Sequence, residues 1–224
     1  MISDFNQIKK LFLEADQQLK SNIDIYIIGG AVLLYHGLKP ATKDIDIILP
    51  NKESYNNLLK TLCSIGFSEK EPTETYKKME INIILEKEDF RFDVFLQKVC
   101  KKIMLTNEMK NRAQLIFKMK HISIFLCSNE DILIFKSITG RKGDLEDCIA
   151  LAKRGINWDI ILKEIQSQIQ QSGEDVWITW IGERLDILAD EGINIPILNE
   201  IDKLRDRYFE RMEKDFKHKK NGKL

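Results

Sequence analysis

Between Ile23 and Pro50 the chain reads IDIYIIGGAVLLYHGLKPATKDIDIILP, and few folds can accommodate that order. IDIYII is a β-rich run that ends at Gly29-Gly30, and AVLLYHG after it suits a helix closed by Gly37. DIDIIL, stopped by Pro50, alternates acid and apolar residues over its first half and predicts a second strand. Thirteen residues separate Gly30 from Asp44, enough for one short helix and a turn. The chain is therefore expected to fold the acids back beside the glycines.

Strand alternation places Asp44 and Asp46 on one face, about 6–7 Å apart along the strand. Mg²⁺ prefers hard oxygen ligands and is held by one or two carboxylates together with substrate phosphate oxygens, so such a pair suits it. A third acid, Asp93, lies in FRFDVF on a strand expected in the same sheet. A carboxylate between apolar neighbours is expensive to bury unless it is paired or metal-bound. The side-chain-free turn at Gly29-Gly30 lets backbone amides approach a ligand, and a helix start favours anions. Read singly, an acid-x-acid strand end is a solvated edge and a double glycine is a tight turn. Their joint occurrence points to a polyphosphate and a divalent cation.

The rest of the 224 residues must supply a scaffold, and a chain with 43% apolar and 31% charged residues can bury a core. Thirty-five basic residues balance thirty-five acidic ones, which leaves only local patches to attract a polyanion. The longest apolar stretch, 25–35, is interrupted by both glycines and is far short of the roughly 20 residues that span a bilayer. No membrane association is expected. MISDFNQIKK carries no signal-peptide pattern, so a cytoplasmic location is expected. Cys63, Cys100, Cys127 and Cys148 are too scattered for a zinc site or a disulfide framework and read as reduced core thiols.

Residues 3–20 predict a first helix with Ser3 and Asp4 as caps, and 53–65 a helix ended by Gly66. MEINIILE and FRFDVFLQ, joined by Lys87-Glu88-Asp89, predict an antiparallel hairpin, and HISIFLC at 121–127 a further strand. After Ser128 the segments 129–153, 158–171, 174–190 and 197–217 read as helical, with Thr139–Gly143 a loop inside the first. The expected architecture is α+β: residues 1–127 form a domain with a small mixed sheet flanked by helices, and 128–224 a helical domain. The lysine-rich end, FKHKKNGKL, is expected to fray.

IIGGAVLLYHGLKPATKDIDIIL followed by FRFDVF resembles the signature of the nucleotidyltransferase superfamily typified by DNA polymerase beta. The resemblance implies the matching fold and Mg²⁺-dependent transfer of a nucleoside monophosphate from an NTP to a hydroxyl. It assigns Asp44 and Asp46 to Mg²⁺, and Asp93 to a second ion and to the proton of the attacking hydroxyl. Gly29, Gly30 and Lys43 would hold the triphosphate. One departure is visible, since many members carry Ser after the first Gly and this chain has Gly30.

EDILIFKSITGRKGDLEDCIAL resembles a helical segment of the abortive-infection and toxin–antitoxin nucleotidyltransferases. There Lys136, Arg141, Lys142, Asp144 and Asp147 stand in the pattern, and Lys136, Arg141 and Lys142 would contact the nucleotide. Together the two stretches cover about two-thirds of the chain. The acceptor implied is an RNA end such as tRNA, or a protein hydroxyl, with an antitoxin as partner if the chain is a toxin. Two alternatives stay open: adenylylation of a small antibiotic-like molecule, and a catalytically retired binding module.

Overall fold

The computed structural model describes residues 1–71, 83–173 and 175–221, and these form two compact units, Met1–Phe135 and Lys136–Leu224. Of the strand expected over 79–86, residues 79–82 lie outside the described residues, as do the last three of the lysine-rich end.

The first unit opens with helix α1 (Phe5–Asp16), whose N-cap Asp4 accepts from the Asn6 amide while Gln7 completes a capping box. Strand β1 (Ile23–Ile28) leads into the short helix α2 (Gly30–Tyr35), and β2 (Ile45–Leu49) returns antiparallel to β1. Helix α3 (Lys52–Ser64) starts at Asn51, whose side chain accepts the Ser54 amide at 2.8 Å. Strands β3 (Ser68–Lys70), β4 (Ile83–Lys87) and β5 (Phe90–Leu96) follow, and the expected hairpin is the β4–β5 pair. After the two-stranded β6 (Lys98–Val99) and β7 (Ile103–Met104) come helix α4 (Asn107–Arg112), β8 (Gln114–Lys118) and β9 (Ile122–Leu126).

Among the described residues the main sheet has seven strands in the order β3-β4-β5-β2-β1-β9-β8. It is mixed: β5 runs parallel to β2, and β9 parallel to β1, while the remaining neighbours are antiparallel. One face carries Ile25, Ile27, Ile45, Ile47, Phe92 and Val94, all fully buried. Against it Phe12 of α1 and Phe67 meet the Phe92 ring at centroid distances of 5.5 and 5.3 Å. The opposite face carries Tyr26, Ile28, Asp46, Ile48, Arg91, Asp93 and Phe95, because alternation sends every second side chain there. Polar groups of chemical interest therefore share one face, set at the level of the β1–α2 turn.

Two buried acids fix the frame. Asp16, at the end of α1, accepts from the His121 and Ile122 amides at 2.7 and 2.8 Å, tying α1 to the start of β9. Asp131 is completely buried, receives Arg112 from the end of α4, and is also bonded by Ser128 Oγ at 3.0 Å.

Helix α5 (Asn129–Ser137) runs across the boundary into the second unit, which contains α6 (Lys142–Arg154), α7 (Trp158–Ser172), α8 (Trp177–Asp190) and α9 (Leu198–Asn221). The helical segment 129–153 breaks at 138–141, so the expected Thr139–Gly143 loop is shorter than its sequence suggested: Lys142 and Gly143 already lie in the first turn of α6, with Arg141 as its N-cap. Helix α8 packs on α6 and α9 and buries Trp177, Ile178, Ile181 and Leu185 completely. Among the described residues no helix is long and apolar enough to cross a membrane.

Candidate active site

The β1–α2 turn is built to let a carboxylate lie on bare backbone. Gly29 adopts φ +66°, and a Cβ placed on it would fall 2.1 Å from Asp46 Oδ2. That approach follows from register, since Asp46 on β2 stands opposite Ile28, the residue before the glycine. Gly30 is equally confined, because a Cβ there would lie 2.5 Å from Thr42 Oγ1. Thr42 is buried, exchanges backbone hydrogen bonds with Ile2 at 2.8 Å each way, and donates its hydroxyl to the Asp44 carbonyl at 3.1 Å. Thr42 thus fills the space a serine at position 30 would need, which gives a steric reason for the glycine. Asp44 stands immediately before β2 and is half-buried, and Lys43 beside it is exposed.

The third acid arrives on the neighbouring strand. β2 and β5 run parallel with Asp46 paired to Asp93, so the two carboxylates leave adjacent strands on the same face. Neighbouring strands are about 4.8 Å apart. Asp93 is only 1% exposed, and its charge is met by Arg91. The guanidinium forks both carboxylate oxygens, Nε to Oδ1 at 2.7 Å and NH2 to Oδ2 at 3.1 Å. A buried carboxylate without such a partner would cost several kcal/mol. Arg91 was not singled out from the sequence, although its spacing of two from Asp93 on a strand puts both on one face.

These residues fit a divalent cation by the chemistry of their donors: carboxylate oxygens on one face, beside a glycine turn. Among the described residues no three acidic, histidine or cysteine side chains already surround a metal-sized space. Mg²⁺ held by a carboxylate pair would need phosphate oxygens and water to complete its shell.

The other expected nucleotide contacts lie in the second unit and form an ion-pair network. Lys136, at the end of α5, is buried and reaches Asp144 Oδ1 at 2.7 Å and Asp147 Oδ2 at 2.8 Å. Arg141 donates from Nε to Asp144 Oδ2 at 2.7 Å, and Thr139 Oγ1 bonds to the same oxygen. Arg184 of α8 donates to the Thr139 carbonyl. Burial alone would raise the Asp144 carboxyl, but Lys136 and then Arg141 outweigh it and hold it at about 2. Burial would likewise lower the Lys136 ammonium, and Asp144 and Asp147 reverse that, leaving it above its ordinary value. Lys142 opens α6 and is exposed. Cys148 is buried with its thiol pushed up to about 11 by desolvation, the behaviour of an inert core thiol, and Cys100 and Cys127 are buried too, whereas Cys63, expected in the core, is exposed on α3.

Solved structures similar to this chain include the following two. The first, ANT(2″)-Ia in complex with adenylyl-2″-tobramycin, has 13% sequence identity and a TM-score of 0.50, covering 75% of this chain and 97% of its own. The second, a candidate nucleotidyltransferase from H. pylori, has 16% identity and a TM-score of 0.45, covering 91% of this chain and 99% of its own. At such identity the first likeness is one of fold, a mixed sheet flanked by helices with further helices after it. No curated protein matches the chain. Residues 5–177, well over half the chain, match the family described as nucleotidyltransferase of unknown function (DUF6036). The chain belongs to that family and is a transferase enzyme of the nucleotidyltransferase kind.

Proposed function

We propose that the protein transfers a nucleoside monophosphate from an NTP to an acceptor hydroxyl in a Mg²⁺-dependent reaction at Asp44, Asp46 and Asp93. The observation that carries this reading is the parallel register of Asp46 with Asp93, over a glycine whose missing side chain makes room for the Asp46 carboxylate. A buried Asp93 beside a half-buried Asp46 on one sheet face has no use in packing alone, since an apolar residue of similar size would fill the space of Asp93 without the desolvation penalty.

In this reading Asp44 and Asp46 hold a divalent cation, and Asp93 completes the binding of a second. Bound there, the cations neutralise charge on the triphosphate and favour the displaced pyrophosphate. The rest is done by the chain itself. The backbone of the Gly29-Gly30 turn and the Lys43 ammonium receive the phosphates. Asp93 Oδ2, the oxygen held by Arg91 at 3.1 Å rather than 2.7 Å, accepts the proton of the attacking hydroxyl. The hydroxyl oxygen forms a bond to the α-phosphorus, the bond from that phosphorus to the bridging oxygen breaks, and pyrophosphate leaves.

The acceptor is an RNA end, such as that of tRNA, or a protein hydroxyl, and a toxin acting in this way would be paired with an antitoxin. The test incubates the protein with each of the four α-labelled NTPs and Mg²⁺, together with total RNA, with the protein alone, or with tobramycin. Label on RNA or protein is expected. Label on tobramycin would move the acceptor to small hydroxylated molecules, and label nowhere with any NTP would mark a retired binding module.

A further inference from the structure

The Arg91–Asp93 fork is a charge arrangement at odds with immediate cation binding. A guanidinium is always protonated, and its planar fork matches a carboxylate in two parallel hydrogen bonds. Here it occupies both oxygens of the acid that the proposed reaction needs, with Asp93 1% exposed and the Arg91 side chain 20% exposed. Arg91 also stands across from Glu86 in the β4–β5 register. Its head therefore lies near the sheet surface, on the face where Asp46 and Asp93 stand side by side.

Resting on the reading of Asp46 and Asp93 as cation ligands, we infer that Arg91 is a positioning residue that makes cation binding depend on the nucleotide. In the free protein its guanidinium occupies both Asp93 oxygens, offsets the carboxylate's charge, and repels a divalent cation from the same oxygens. An NTP brings a triphosphate of several negative charges to this face. That polyanion offers the guanidinium a competing partner and attracts the cation, so cation and nucleotide enter together. A lone cation binds weakly, which keeps the site from filling with metal when no substrate is present. The direction is opposite to that of a structural ion pair, whose loss would damage the site and lower cation affinity.

The test is Mn²⁺ binding to the full-length protein, followed by loss of the free-ion electron paramagnetic resonance signal. It compares the wild type, Arg91→Gln, Arg91→Lys and the double variant Arg91→Gln/Asp93→Asn, with and without a non-hydrolysable NTP. Removing a unit positive charge a few ångströms from the ligand oxygens should tighten Mn²⁺ binding without nucleotide by about tenfold or more. The nucleotide should then enhance binding much less in Arg91→Gln than in the wild type. Arg91→Lys keeps the charge, should stay close to the wild type, and reports on the site if Arg91→Gln is unstable. The double variant should lose the gain. Mn²⁺ affinity of Arg91→Gln equal to or below that of the wild type, with the circular dichroism spectrum unchanged, would overturn the inference while leaving the site intact. Absence of Mn²⁺ binding in every protein, with nucleotide present or not, would instead overturn the cation-site reading, and the inference with it.

Discussion

Gly29 is the residue where backbone conformation and chemistry are most tightly joined. Its φ of +66° is one that residues with a side chain rarely adopt, and the missing Cβ leaves space occupied by the Asp46 carboxylate. Gly29→Ala combines backbone strain, on the order of 1–2 kcal/mol, with displacement of that carboxylate. Transfer should fall by about 10²-fold, the usual effect of misplacing a reacting group by an ångström. Gly143→Ala is the control, since a Cβ there meets nothing within 4 Å in the first turn of α6, and it should leave transfer unchanged and the melting temperature unchanged or slightly raised. Wild-type transfer by Gly29→Ala would mean that Asp46 has no fixed place in the reaction. Asp93→Asn keeps the size of the side chain and removes the charge that Arg91 and a cation both require. Label transfer should disappear in that variant.

At the level of elements, the end of α5 is fastened to the first turns of α6 by Lys136, Asp144 and Asp147. Removing one partner of a buried ion pair costs about 3–5 kcal/mol, because the other charge is stranded. Lys136→Ala should therefore melt well below the wild type, while folded protein keeps its nucleotide affinity. A raised KM for NTP with no change in melting would restore Lys136 to the triphosphate contact that its sequence pattern suggested. The same network carries a pH signature. The Asp144 carboxyl is held at about 2 against an ordinary 3.8, so the folded form binds its proton less readily than the unfolded form. Its contribution, on the order of 2 kcal/mol, is present above pH 4 and is lost as pH falls through about 2. Thermal melts between pH 5 and pH 2 should show a drop that is smaller in Asp144→Asn.

Some elements announced themselves in the residues and others did not. The β1–α2–β2 unit was legible because its apolar runs are bounded by glycines and a proline, and the β4–β5 hairpin because Phe92, Val94 and Asp93 alternate. Strands β3 and β8 were not. All three residues of β3 are exposed, and β8 is an edge strand with an irregular register between Leu115 and Phe117, so neither carries a clean apolar alternation. The short α4, capped by Thr106, also falls below the length at which helical periodicity is visible. Within the site, Asp46 and Asp93 could be named from spacing, but their pairing depends on which strands run parallel. Tertiary register, rather than local pattern, decides that. Arg91 illustrates the difference: alternation puts it on the face of Asp93, yet only the fold shows the fork.

Across the whole molecule, thirty-five positive and thirty-five negative charges cancel, so recognition of a polyanionic nucleotide has to arise locally. The first unit provides a mixed sheet that buries apolar residues on both faces, with Asp46 and Asp93 set among Ile28, Ile48 and Phe95 on one of them. The second unit has its own core around Trp177 and an ion-pair network in which Lys136 and Arg141 both meet Asp144. The central claim is that Asp46 and Asp93 form a cation-dependent nucleotide site, and it needs no knowledge of the acceptor to be tested. Calorimetric titration with α,β-methylene ATP and its counterparts for the other three bases, with Mg²⁺ and with EDTA, addresses it most directly. At least one analogue should bind the wild type only with Mg²⁺, and Asp46→Asn should lose that binding while melting as the wild type does. Equal binding in EDTA, or wild-type affinity in Asp46→Asn, would contradict it.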